Sequence, residues 1–309
     1  MYEHEKRLRS EEAPVIEEPS VKTAEEEPVI EEPSVKTAEE DGSEEIPKEK
    51  TGSAIPVDSE PEKKAEPRQE EPAAAETKKP VLCFVIDDVG NNLEDLERFL
   101  RVPGKVTFAV LPGLPASTEA AERVKAAGQE LLLHQPMEAI GGVYPGPGLL
   151  TESMNGEERL ACLESNLKSV PGAVGVNNHM GSKGTSSLEL SSWLLETLKE
   201  KNLFFLDSRT TADSRIREAA GALNFIVLER NSMFLDNEKD IESLKFAVEA
   251  GKATAREKGH AVMIGHAVTS ELADLMMHYY PSLIEEGFVI ENLTYLLNEA
   301  RKNDESAGN

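Results

Sequence analysis

Two adjacent carboxylates, Asp87-Asp88, and three well-separated imidazoles, His134, His179 and His266, are the residues of this chain best suited to chemistry. Carboxylate oxygens and imidazole nitrogens ligate divalent cations such as Zn²⁺, and the same groups take and give protons near neutral pH. Each has an ordinary alternative. Asp87-Asp88 ahead of Val89-Gly90-Asn91-Asn92 also suits a helix cap or a turn. A lone histidine at a strand end also serves structure alone. Asp207-Ser208-Arg209, a further polar group, also reads as a surface ion pair. His4, His260 and His278 stand in no such context and are given no role.

What gathers the chosen residues is their place in a pattern of strands and helices. Apolar runs predict strands over Val81–Ile86, Val106–Leu111, Glu130–Leu133, Ala173–Val176, Leu203–Leu206, Asn224–Leu228, His260–Ile264 and Phe288–Ile290. Between them, helical periodicity spans Leu93–Leu100, Ser117–Ala127, Glu157–Val170, Ser187–Lys201, Ile241–Lys258, Ser270–Glu286 and Leu293–Arg301. Gly128 suits a helix end, and Pro171-Gly172 stops another. Repeated alternation with continuous apolar strands predicts a parallel sheet covered by helices. Seven or eight such units in about 220 residues favour a barrel-like closure over an open doubly wound sheet. No Gly-x-Gly-x-x-Gly follows the first strand, so a dinucleotide fold has no support. Asp87-Asp88, His134, Asn177-Asn178-His179, Asp207-Ser208-Arg209 and His266 all fall just after predicted strands. In a parallel barrel those ends open onto one face, where distant residues converge.

Bulk properties set further bounds. The 309 residues carry 33 Lys and Arg against 58 Asp and Glu, a formal net charge of −25. Residues 1–78 hold 24 acids and 11 bases, and the remainder holds 34 and 22. So acidic a chain repels phosphate backbones, which argues against nucleic-acid binding. Residues 1–78 have Tyr2 as their one aromatic and too little apolar surface to offset ordering entropy. They contain a 14-residue tandem repeat, Pro14 through Glu26 recurring as Pro28 through Glu40. It reads as an extended acidic linker, with an array of binding motifs as the alternative. The composition changes at Lys79-Pro80, giving a domain over 79–303 and a short disordered tail over 304–309. No apolar run reaches 18 residues, so no transmembrane helix is expected. The opening Met1–Arg7 has no apolar core behind it, so either the protein is cytoplasmic or the sequence starts downstream of an export segment. Cys83 and Cys162 make no framework pattern and read as buried free thiols, a disulfide being the alternative.

Five segments carry a resemblance: Ile86-Asp87-Asp88-Val89-Gly90, Leu133-His134-Gln135-Pro136-Met137-Glu138, Asn177-Asn178-His179-Met180-Gly181-Ser182, Leu206-Asp207-Ser208-Arg209-Thr210 and Ile264-Gly265-His266. In this order, and over roughly residues 79–300, they resemble the divergent polysaccharide deacetylase family, distant relatives of the NodB-type carbohydrate esterases. The resemblance implies a distorted (β/α) barrel of about seven units and metal-dependent removal of acetyl groups from N-acetylated carbohydrate of the cell envelope. It implies Asp87 as general base, Asp88 and His134 as ligands of Zn²⁺ or another divalent metal, and His266 as acid. Two departures stand out. Glu138 replaces the second histidine of the paired-histidine motif, and Asn178-His179-Met180-Gly181 replaces an arginine-proline-tyrosine motif. His179 is therefore expected to complete the ligand set with Asp88 and His134. From rim position, Asp207 is expected to orient His266, and Arg209 to hold Asp87 ionised. A carbohydrate polymer or oligosaccharide is the implied partner. The alternative function is a non-catalytic envelope protein of the same fold that binds glycan or a protein partner; a hydrolase of another small amide is a third.

Overall fold

The computed structural model describes residues 78–307, so the expected acidic linker lies, but for Lys78, outside the described residues. Seven parallel strands run in the order β6-β5-β4-β3-β2-β1-β7. They are β1 (Val81–Val89), β2 (Thr107–Val110), β3 (Glu130–Met137), β4 (Gly175–Met180), β5 (Phe204–Asp207), β6 (Val227–Glu229) and β7 (His260–His266). A two-residue β8 (Val289–Ile290) pairs with Val81 and Leu82 at the start of β1. β2 takes the same edge of β1 from Val85 upward. The sheet curls into a nearly closed barrel, as expected. Its seam between β6 and β7 is bridged by the segment 231–236. There the Asn231 side chain donates to His260 O and accepts from Val262 N, and Leu235 N donates to Ile264 O at 2.7 Å.

Helices α1 (Leu93–Leu100), α2 (Ser117–Ala126), α3 (Gly156–Ser169), α4 (Leu188–Glu200), α5 (Ile216–Leu223), α6 (Ile241–Lys258), α7 (Ser270–Glu285) and α8 (Leu293–Ala307) alternate with the strands. Side-chain caps fix several starts. Asn92 and Ser187 cap α1 and α4, Asp240 caps α6, and Asn155 forms a reciprocal capping box with Glu158 on α3. The sequence reading differs in several places. Asn224 was expected to begin a strand, but it ends α5 in the left-handed conformation, and β6 starts only at Val227. A short polar side chain tolerates that backbone, so Asn224 is a stop signal. Helix α5 itself was not anticipated. Finally, α8 runs to Ala307, so residues 304–307 are helical rather than part of a free tail.

Strand side chains alternate between two apolar layers. One set, including Leu82, Phe84, Ile86, Leu131, Leu133, Phe205 and Met263, packs outward under the helices. The other, Val81, Cys83, Val85, Ala109, Leu132, Phe204, Leu206, Val262 and Ile264, fills the bore. Leu293, Leu296 and Leu297 of α8 join this inner set and plug the barrel floor. Buried Glu130 anchors that plug, accepting from Thr107 Oγ1 and from Leu293 N and Thr294 N at 2.9–3.0 Å. Cys83 and Cys162 are free, and burial pushes both thiols up, so neither is poised as a nucleophile.

Candidate active site

The parity of the bore predicts where polar residues must appear. Two positions past Val85 is Asp87, two past Leu132 is His134, and two past Ile264 is His266; on β4 the inward set is Gly175, Asn177 and His179. The inner layers are apolar until the strand C-termini and then turn polar. The strands run further than the apolar runs indicated, so these residues sit inside the ladders rather than after them. Asp87 is in register with His266, and His134 with Asn177.

Asp88 breaks the alternation. The β1–β2 register shifts between Ile86 and Val89, and Asp88 adopts φ +61°, left-handed for a non-glycine. The bulge turns its side chain toward the mouth, so both neighbouring aspartates reach one site. Met180 and Arg209, at the ends of β4 and β5, share this conformation at φ +53°. Such positions carry strain and cluster where geometry serves function.

Three atoms converge. Asp88 Oδ1 lies 3.2 Å from His134 Nε2 and 3.0 Å from His179 Nδ1, and the two nitrogens are 3.1 Å apart. Among the described residues this is the one such group of His, Cys, Asp or Glu ligand atoms. Asp88 Oδ1 is buried and accepts no well-directed hydrogen bond despite its neighbours. The three atoms face a shared space, and the two ring nitrogens are close enough to hydrogen-bond when one of them carries a proton. A tetrahedral Zn²⁺ with bonds of about 2.0–2.2 Å sets its ligand atoms roughly 3.3–3.6 Å apart, slightly wider than the 3.0–3.2 Å here. An orphaned carboxylate oxygen and two imidazole nitrogens at this spacing fit a divalent ion. Burial disfavours charge on Asp88, yet the imidazoles beside it hold its carboxyl well below the usual carboxylate range.

Asp87 and His266 flank the triangle. Asp87 Oδ2 is 3.7 Å from His134 Nε2, and Oδ1 accepts from Asn177 Nδ2 at 2.8 Å. Burial raises the Asp87 pKa, against the opposing pull of His134 and His266. His266 Nδ1 bonds Asp236 Oδ1 at 2.9 Å, while Asp236 Oδ2 accepts from His266 N and Thr269 Oγ1. Burial opposes the charge on His266, but the Asp236 carboxylate prevails and lifts its pKa to about 9. The Phe234 ring packs on the imidazole with centroids 5.5 Å apart, and the Arg230 guanidinium lies 3.9 Å from the Phe234 ring centroid.

Two contacts expected from rim position are replaced by others. Asp236, not Asp207, orients His266. Asp207 is fully buried and accepts instead from Ser214 Oγ at 2.6 Å and Arg209 N at 2.8 Å. Its placement fixes the left-handed turn at Arg209. The Arg209 guanidinium comes within 3.9 Å of Asp207, and Asn177 rather than Arg209 bonds Asp87. Arg230 secures the same turn, donating to Ser208 O and Arg209 O at 2.9 Å. Glu138 stays outside the triangle and pairs with Lys183 at 2.6 Å. Asp236 escaped the sequence reading because no strand was expected before it. The signal was present: Met233-Phe234-Leu235-Asp236 is again an apolar run closed by an acid.

Comparison with known proteins places this geometry. A protein of Haemophilus influenzae of uncharacterised function is 32% identical over 194 residues, 63% of this chain and 69% of its own length. The uncharacterised protein YibQ of Escherichia coli K12 is 31% identical over 218 residues, covering 71% and 67%. The crystal structure of an uncharacterised protein of Agrobacterium tumefaciens shares the fold, with a TM-score of 0.68 at 20% identity over 72% of this chain and 91% of that one. The family model described as divergent polysaccharide deacetylase matches residues 84–297, a span that opens just before Asp87 and closes within the α8 plug. With nearly the whole barrel, the bulged aspartate pair and the rim histidines inside that span, the chain belongs to the divergent polysaccharide deacetylase family.

Proposed function

We propose that this protein is a metal-dependent hydrolase that removes acetyl groups from N-acetylated carbohydrate, with polymers of the cell envelope as its substrate class. The observation that carries the reading is the triangle of Asp88 Oδ1, His134 Nε2 and His179 Nδ1, with all three edges between 3.0 and 3.2 Å. Those three side chains would hold a divalent ion. When bound, such an ion supplies Lewis acidity, polarising the acyl oxygen and easing deprotonation of water.

The remaining chemistry belongs to the chain. Asp87 is the base: buried in the bore, it has a raised proton affinity suited to taking a proton from the attacking water. Asn177 fixes the oxygen Asp87 does not use. His266 is the acid. With a pKa near 9 it is protonated at neutral pH and can hand that proton to the departing amine. Asp236 keeps the imidazolium oriented, and Phe234 restricts the ring from the side. Asp207 and Arg209 shape the β5 rim rather than the reacting centre.

The test begins with the metal content of protein purified without added metal or a histidine tag. One divalent ion per chain is expected, with acetate released from a chitooligosaccharide. Asp87→Asn and His266→Ala should each keep the ion and lose about 10²–10⁴-fold in kcat, the usual share of an acid or base. A metal-loaded protein that releases no acetate from chitooligosaccharide or peptidoglycan fragments, yet retains glycan in a pull-down, overturns the hydrolase reading in favour of a binding protein.

A further inference from the structure

We infer that Asn177 is a positioning residue that couples the metal-binding histidine to the base, setting the His134 tautomer and the Asp87 carboxylate through one amide. The inference rests on the metal-dependent reading above. Asn177 is fully buried on β4, in register with His134 on β3. Its amide also reaches Asp87 on β1, which is not adjacent to β4 in the sheet. The link therefore crosses the bore at its mouth and ties opposite walls of the barrel.

The orientation of the amide follows from chemistry. A carboxylate oxygen accepts and an amide NH₂ donates, so Nδ2 must face Asp87 Oδ1, 2.8 Å away. The second N–H of the group is directed at Ser208 Oγ, at 3.3 Å. This leaves Oδ1 facing His134 Nδ1 at 2.9 Å, and an amide oxygen only accepts. His134 Nδ1 must then carry a hydrogen. In the neutral ring Nε2 is left with a bare lone pair, and Nε2 is the atom that faces Asp88 Oδ1 and His179 Nδ1. The negative charge of Asp87 thus dictates, through one rigid amide, which nitrogen of His134 can ligate. Asp87, His134 and Asn177 are all buried, which strengthens these bonds against competition from bulk water.

Three measurements separate this role from simple packing. The first needs no variant. In metal-free protein, at a pH where imidazole is neutral, ¹⁵N NMR should show His134 with its hydrogen on Nδ1; a hydrogen on Nε2 overturns the inference directly. The second is Asn177→Leu, close in volume but unable to bond. Provided its circular dichroism is native, it should bind Zn²⁺ about 10–100-fold more weakly, as when a bond to a ligand's far side is lost. The third is Asn177→Asp, which still accepts from His134 Nδ1 but sets a second carboxylate against Asp87. It should restore Zn²⁺ affinity to within about threefold of wild type while kcat stays depressed. If Asn177→Leu binds Zn²⁺ as tightly as wild type, or Asn177→Asp fails to recover affinity, the coupling is refuted while the metal site stands. If the wild-type protein binds no divalent ion, the metal reading itself fails.

Discussion

The His266–Asp236 pair gives the site a pH signature. An ordinary imidazole titrates near 6.5, and here the pKa is about 9, so the folded form binds the proton more tightly than the unfolded chain. The contribution to stability is complete below about pH 6.5 and is lost as pH rises through about 9. If His266 is the acid, kcat falls over the same alkaline limb. Asp236→Asn removes the carboxylate that holds the charge, so the limb should move down toward 6.5 in a pH–rate profile. An unmoved limb would show that another group controls it. The ligand triangle makes a second claim at this scale. His179→Ala should weaken metal binding far more than Glu138→Ala, because the Glu138 carboxylate is engaged with Lys183 at 2.6 Å and lies outside the triangle. Competition with a chelator reads both. The reverse order would make Glu138 the ligand and leave His179 a neighbour. Asp87, Asp88, His134, His179 and His266 were legible in the sequence because each interrupts or ends an apolar run. Their distances were not legible, since these depend on which strands lie opposite across the bore.

Elements hold these residues by close packing that leaves little slack. Gly265 precedes His266 on β7, and a Cβ there would meet Leu272 Cδ2 of α7 at 2.3 Å. Gly265→Ala should therefore push α7 from the strand end and cost about 1–3 kcal/mol, the usual penalty of overpacking, measured by denaturant unfolding. His266 would shift with it, so kcat should fall further than the stability loss accounts for. The floor is fastened by contacts of its own. Glu130→Ala removes the acceptor for Leu293 N and Thr294 N and should cost about 1–3 kcal/mol, with metal affinity unchanged. A loss of metal affinity would mean that floor and mouth are coupled. Strand and helix order was readable because bore strands are apolar on both faces and most helix starts carry a side-chain cap. Where an element was missed, local signals were weak. Helix α5 lacks a side-chain cap at its start, and the 231–236 seam pairs with β7 largely through side chains; β6 was expected, but with three residues its start was misplaced. The C-terminal polar stretch of α8 has no apolar face to announce it beyond Leu297.

On the scale of the whole molecule, charge is the property that acts beyond contact distance. The chain carries −25, and residues 1–78 contribute 24 acids against 11 bases, about half of the excess. Because the barrel core and the site residues all lie beyond Lys79, a chain lacking residues 1–75 should keep its melting temperature within about 2 °C, a shift worth less than 1 kcal/mol in a domain of this size. It should keep its metal as well. Its encounter with substrate should nevertheless change, and the sign depends on the substrate. A carboxylate-bearing peptidoglycan fragment is repelled by an acidic protein, so removing half of the net charge should raise kcat/KM at low ionic strength. The gain should fade as salt approaches about 0.15 M, where the screening length falls to about 8 Å. A neutral chitooligosaccharide feels no such repulsion and should react equally fast with both chains at either salt. If truncation instead changes kcat/KM for the neutral and the anionic substrate by the same factor, the acidic segment acts on the domain by something other than its charge.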